Sequence, residues 1–172
     1  MKFRNKTVKK HLRYARYIAR HKAFVGYQCF RQGLIWRSIV HDWHKMLPSE
    51  WVPYTNHFYG SWKLKSWMAK GKKNGKTGDP AFDAAHGKHI KRADHHTEWW
   101  VRKYNGYTLV LPMSPKARLE MMCDWWGVHK SLGKGGWESV YAWYKKNGHK
   151  LTMHDETREW VDNFMEEINV HE

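Results

Sequence analysis

A histidine followed directly by an aspartate, His41-Asp42, with Lys45 three residues further on, is the densest piece of potential chemistry in this 172-residue chain. Imidazole nitrogens and carboxylate oxygens are both metal ligands, and an aspartate between two ions can bridge them with its two oxygens. The pair gains weight from its place in a series: His21 comes before it, and His89, His95-His96 and Asp124 come after, each inside a predicted helix. Imidazoles mixed with carboxylates suit Mn, Fe, Co, Ni or Zn better than Mg, which prefers oxygen. One or two divalent transition-metal ions are the expected cofactor. His86 lies three residues before His89, on the same helical face, and competes with it. His11, His44, His57, His129, His149, His154 and His171 are read as solvated.

The elements that must carry these residues read as helices. From Thr7, a plausible N-cap, apolar positions Val8, Leu12, Ala15, Ile18, Ala19, Val25 and Cys29 recur mostly at three- and four-residue steps until Gly33. A second segment, Leu34 to Met46, carries His41, Asp42 and Lys45 and must stop before Pro48. The aromatic stretch from Ser49 to Ala69, broken by Pro53 and Gly60, reads as short helices or ordered loop, and Lys70 to Gly78 as a basic loop. Asp79-Pro80 and Ser114-Pro115 each pair an N-cap with a first helical residue. The first opens a helix that can run to Tyr104 with four histidines, and the second a helix with Glu120 and Asp124. The Asn105-Gly106 turn and the β-prone run 108–111 separate them, and two further helices follow, about Trp137 to Lys146 and Met153 to Val170. The expected fold is all-α, one helical domain over residues 1–172, with the metal-site core at about 8–130 and C-terminal helices at about 137–170.

Composition narrows the partners. With 31 Lys+Arg against 16 Asp+Glu, the formal charge of +15 favours polyanions such as nucleotides or nucleic acid. There is no apolar run of membrane-spanning length and no signal-peptide pattern, so the expected location is the cytoplasm, with no membrane partner. Cys29 and Cys123 fall in apolar helical patterns and read as reduced, buried thiols. Of the tryptophan pairs Trp99-Trp100 and Trp125-Trp126, at least one ring each is expected inside.

The series H…HD…D, with His41-Asp42-Trp43-His44-Lys45 in the HDxxK form, resembles the HD-domain metal-dependent phosphohydrolase superfamily, an all-helical class. It is similar in more detail to a family of short phage and bacterial proteins of this type. The matching pieces are His21-Lys22, Pro48-Ser49-Glu50 with Tyr54, His89 before His95-His96-Thr97-Glu98-Trp99-Trp100, and Glu120-Met121-Met122-Cys123-Asp124-Trp125. Together they cover roughly residues 21–126. The superfamily's GYP signature of cyclic-dinucleotide phosphodiesterases is absent after the paired histidines, which points away from that substrate.

The resemblance implies His21, His41, Asp42 and Asp124 as ligands of one metal and Asp42, His89, His95 and His96 as ligands of a second. Two such ions activate water and stabilise the attacking and leaving oxygens at phosphorus. Lys45 is the implied neutraliser of the phosphate, Glu120 orients a ligand or moves a proton, and Asp42 belongs to the catalytic set. Lys72 and Lys73, in the basic loop, are candidate substrate clamps. The expected function is hydrolysis of a phosphate-bearing small molecule, a nucleotide or nucleotide-derived signal, in the host cytoplasm if the chain is phage-encoded. The rival reading is a basic accessory protein that binds DNA or RNA and keeps a structural or vestigial metal site. Charge favours the rival. The full ligand set with Lys45 favours the enzyme.

Overall fold

A computed structural model describes residues 2–60 and 77–170. Seven α-helices and one two-stranded sheet are found among them. The helices are α1 (Lys2–Arg31), α2 (Ile35–Val40), α3 (Pro48–Tyr59), α4 (Pro80–Ile90), α5 (Pro115–Ser131), α6 (Trp137–Asn147) and α7 (Asp155–Val170). No helix among the described residues is long and apolar enough to cross a membrane. The predicted caps at the Asx-Pro and Ser-Pro steps form: Asp79 accepts from the Phe82 N–H at 3.1 Å and Ser114 from the Ala117 N–H at 3.3 Å. Each satisfies a backbone donor that the first helical turn leaves over.

Three expectations about elements change. Thr7 lies within α1 rather than capping it. The second predicted helix breaks at the chemistry: α2 ends at Val40, His41 has φ −48 and ψ 125, and Asp42 is left-handed at φ 53. A short 3-10 turn, Trp43–Met46, then leads to Pro48, which starts α3. The long helix expected from Asp79 to Tyr104 also ends early, at Ile90. Val101–Tyr104 is β1 instead, paired antiparallel with β2, Tyr107–Val110, in the register Val101↔Val110 to Tyr104↔Tyr107. The reason is local: Asn105-Gly106, with Gly106 at φ 88, makes the reversal, and the flanking aromatic and β-branched residues favour a hairpin over a helix. The fold is therefore mostly helical but not purely so.

The chain divides into two compact units, each assembled from two stretches: Met1–Arg20 with Asp42–Arg92, and His21–His41 with Ala93–Glu172. The first unit is cored by aromatic rings. Tyr14 meets Trp51 edge-on at 4.7 Å between centroids, Tyr54 meets Phe82 edge-on at 4.9 Å, and Ile18 and Ala85 fill between them.

The second unit is cored by Met113, Met121, Met122 and Met165 with Val140, Tyr144 and Val161. Methionines conform to the irregular gaps that large rings leave, and Trp125, Trp137, Trp143 and Trp160 pack on that core. Trp126 is buried and Trp125 packs beside it, so both rings of that pair serve the interior. In the other pair, Trp100 donates to the Asp94 carbonyl at 2.7 Å. The two free thiols are buried as expected, and a satellite cluster of Val25, Cys29, Leu34 and Cys123 brings them together.

Candidate metal centre

The backbone of the second unit brings α1 and α5 into very close approach. A Cβ at Gly127 would lie 2.2 Å from Val25 Cγ2 and 3.1 Å from the Val25 backbone nitrogen, so only glycine fits there. Val25 is one turn beyond His21, and Gly127 nearly one turn beyond Asp124. The approach that needs glycine thus brings these two side chains together, with His21 Nε2 3.2 Å from Asp124 Oδ1. His41 completes the group, its Nε2 3.4 Å from His21 Nε2 and 3.3 Å from Asp124 Oδ1. All three residues are buried.

The end of α2 is pinned so that His41 stays there. Lys22, the neighbour of His21, donates its Nζ to the His41 carbonyl and lies 3.5 Å from the Ile39 carbonyl, where a helix C-terminus presents partial negative charge. On the far side of the ring, His41 Nδ1 is 2.8 Å from Glu120 Oε1, and Glu120 also takes a hydrogen bond from Arg37. Arg37 reaches Asp94 with both arms at 2.7 Å. Burial would push the Glu120 carboxyl up, but the hydrogen bonds from His41 and His95 outweigh it and hold the group well below the usual carboxylate range. An ionised carboxylate only accepts, so His41 Nδ1 carries a proton, and Nε2 faces Asp124 with either a lone pair or a second proton. Two acceptors 3.3 Å apart in a buried place repel unless a proton or a cation lies between them. A divalent metal suits that need, and the carboxylate behind the imidazole is the usual partner of a ligating histidine.

The first unit repeats the pattern with different residues. His89 Nε2 is 3.3 Å from Asp42 Oδ1, and His89 Nδ1 is 3.2 Å from Glu50 Oε2. Arg92 backs Glu50 at 3.4 Å. Here burial pushes the Glu50 carboxyl up, against the pull of the Arg92 guanidinium. Lys45 Nζ lies 2.5 Å from the other Asp42 oxygen, Oδ2. Asp42 therefore presents one oxygen to an imidazole and the other to an ammonium.

Of the expected ligands, His21, His41 and Asp124 share one cluster of the second unit, with ligand atoms within 4.8 Å of one another, and Asp42 meets His89 in the first. His95 and His96 are not helical: they stand in the turn between α4 and the 3-10 segment Thr97–Trp100, in the second unit. His95 Nδ1 is 3.3 Å from Glu120 Oε1 and its ring is 4.7 Å from that of His41, while the His96 ring is 4.4 Å from that of His95. His86 stacks on Phe82 at 5.7 Å. Glu120 sits behind the imidazoles as an orienting group. Lys72 and Lys73 lie outside the described residues.

His129, read as solvated, is instead buried, 2.7 Å from Ser139 Oγ. Its position on the inner side of α5 overrode its polarity. Glu50, Arg92 and Arg37 were not predicted as part of the site. The one signal that could have found them was the P-x-E spacing of Pro48 and Glu50, quoted above without a role.

A family model described as a family of unknown function, DUF5662, matches residues 10–167, and the chain belongs to that family. No curated protein and no solved structure matches it.

Proposed function

We propose that this member of the DUF5662 family is a metal-dependent phosphohydrolase acting on a nucleotide or a nucleotide-derived signal. The observation that carries the reading is the repeated order guanidinium, carboxylate, imidazole, carboxylate: Arg37–Glu120–His41–Asp124 in one unit and Arg92–Glu50–His89–Asp42 in the other. Each imidazole has a carboxylate on either side, and Glu120 holds His41 by a hydrogen bond, as the carboxylate behind a metal-ligating histidine usually does.

The proposed holders of one ion are His21, His41 and Asp124, and of another Asp42 and His89. The resemblance noted above adds Asp42 to the first set and His95 and His96 to the second. Such ions supply Lewis acidity to a phosphoryl oxygen and to water. The chain's own residues do the rest. Glu120 fixes by its hydrogen bond which nitrogen of His41 is available, and Glu50 faces His89 Nδ1 at 3.2 Å. Asp42 supplies two oxygens, one of them held by Lys45, whose ammonium neutralises charge on the departing phosphate.

The test is elemental analysis of the purified chain with a panel of nucleoside mono-, di- and triphosphates. Asp42→Asn is expected to lose most of the bound transition metal and all turnover. Lys45→Ala is expected to keep the metal and lose hydrolysis by about 100-fold or more, as removal of one electrostatic contact to a transition state does. Stoichiometric metal in Asp42→Asn, or wild-type turnover in Lys45→Ala, overturns the assignment.

A further inference from the structure

The first unit buries two phenols whose hydroxyls have no hydrogen-bond partner among the described residues. Tyr14 is 1% exposed and Tyr54 6%. A buried phenol normally finds a partner, because it loses water on folding and gains nothing in return without one. Two such omissions side by side, with the rings tilted and 6.4 Å apart, are not packing accidents of a loose region. Both rings are held edge-on, Tyr14 against Trp51 and Tyr54 against Phe82.

Their surroundings say what they lack. Both phenols lie within electrostatic reach of the Lys45 ammonium and the Asp42 carboxylate, and the Tyr54 ring also meets that of His89 at 6.4 Å. Burial raises the phenol pKa of each, with the Lys45 ammonium pulling back only in part, so both keep their protons and are donors. Two fixed O–H donors beside an ammonium complement a group rich in anionic oxygens. A phosphate supplies several such oxygens, each a strong acceptor, whereas an apolar or cationic ligand would leave both donors unmade.

We propose that Tyr14 and Tyr54 bind a phosphate group, donating to its oxygens while Lys45 meets its charge, and so select a phosphorylated ligand. The proposal deepens the phosphohydrolase reading and rests on it for the identity of the substrate, but the anion site stands on its own geometry. Position 54 lies in the P-x-E-x-x-x-Y spacing of Pro48, Glu50 and Tyr54, and Tyr14 is contributed by α1, outside every motif noted above.

The experiment measures the affinity of the full chain for inorganic phosphate by titration calorimetry, and its melting temperature without phosphate, for the wild type and three variants. Tyr14→Phe and Tyr54→Phe keep both rings and remove only the unpaired hydroxyls. Each is expected to weaken phosphate binding about tenfold, the effect of one lost hydrogen bond, and the pair together about 100-fold. Each is also expected to raise the melting temperature by about 2–4 °C, because an unsatisfied buried group is gone. Thr55→Val is the control: its hydroxyl is also buried without a hydrogen-bond partner among the described residues but has no part in the proposed phosphate contact, so the change should raise the melting temperature and leave phosphate affinity alone.

Phosphate affinity unchanged in both phenylalanine variants, or a wild type that does not bind millimolar phosphate, overturns the proposal. A fall in melting temperature for both variants also overturns it, since the hydroxyls would then be held by buried water. Loss of phosphate binding in the variants of a chain that hydrolyses no phosphate ester upholds the anion site and refutes the hydrolase reading. Hydrolysis with unchanged KM in both variants does the reverse.

Discussion

Glu120 and Glu50 stand behind His41 and His89 in the same order of atoms, yet the two carboxylates are held by opposite means. Glu120 meets two imidazoles, His41 and His95, and a guanidinium anchored by both arms on Asp94. Glu50 is fully buried and has one imidazole at 3.2 Å and one half-exposed guanidinium at 3.4 Å. The first carboxyl is driven toward its charged form by its partners, and the second is pushed away from it by burial. The difference teaches that the same order of groups can be built tightly or loosely, and that the tight copy belongs to the unit where Gly127 lets α1 and α5 approach closely.

The comparison breaks first at Glu120. Glu120→Ala strands two buried imidazole N–H groups and a guanidinium at once, and is expected to cost about 3–5 kcal/mol in a urea unfolding experiment and to lose most of the bound metal. A Glu50→Ala variant that loses as much would show the two relays to be equivalent. Next comes Gly127→Ala. Its added methyl meets backbone as well as the Val25 side chain, so the helices must part, at a cost of about 1–3 kcal/mol. Metal per chain should fall with it, the loss confined to the His21–His41–Asp124 cluster. Equal loss from the Asp42–His89 pair would mean the two clusters are not separable.

Glu50→Gln has the smallest expected effect on stability, about 1 kcal/mol, because the amide keeps the shape and one hydrogen bond. Metal affinity should still fall about 10–100-fold, read by competition with a chromogenic chelator. A Glu50→Gln chain with wild-type affinity would remove the carboxylate from any part in orienting His89.

What could be read from the sequence was what depends on neighbours in the chain. The two caps before Pro80 and Pro115 are local patterns and form as expected, whereas the His41-Asp42 pair, equally local as a motif, lies just past the end of α2 rather than inside a helix. The helix boundaries around His41 and His95 were missed for the reason that makes them useful. Apolar periodicity ran on through both, while the actual chain breaks at Asp42 and at Lys91. The supporting residues were harder still. Arg37 and Arg92 look like ordinary surface charge on helices, and nothing in the spacing of Glu50 says that its side chain is fully buried. Such facts depend on which stretches pack together, and here each unit is made from stretches far apart in the sequence.

Asp42 is the one described non-glycine residue with positive φ. An L-residue in that conformation costs roughly 1–2 kcal/mol, less for aspartate and asparagine than for others, and nothing comparable for glycine. Backbone preference and the proposed metal chemistry therefore pull this position in opposite directions. Drift in a lineage that had lost the chemistry would run from aspartate toward glycine or asparagine and away from alanine or any β-branched residue. A His-Gly or His-Asn step in place of His41-Asp42 would thus mark a relative that has kept the backbone turn without the proposed ligand, a difference readable from a sequence alone.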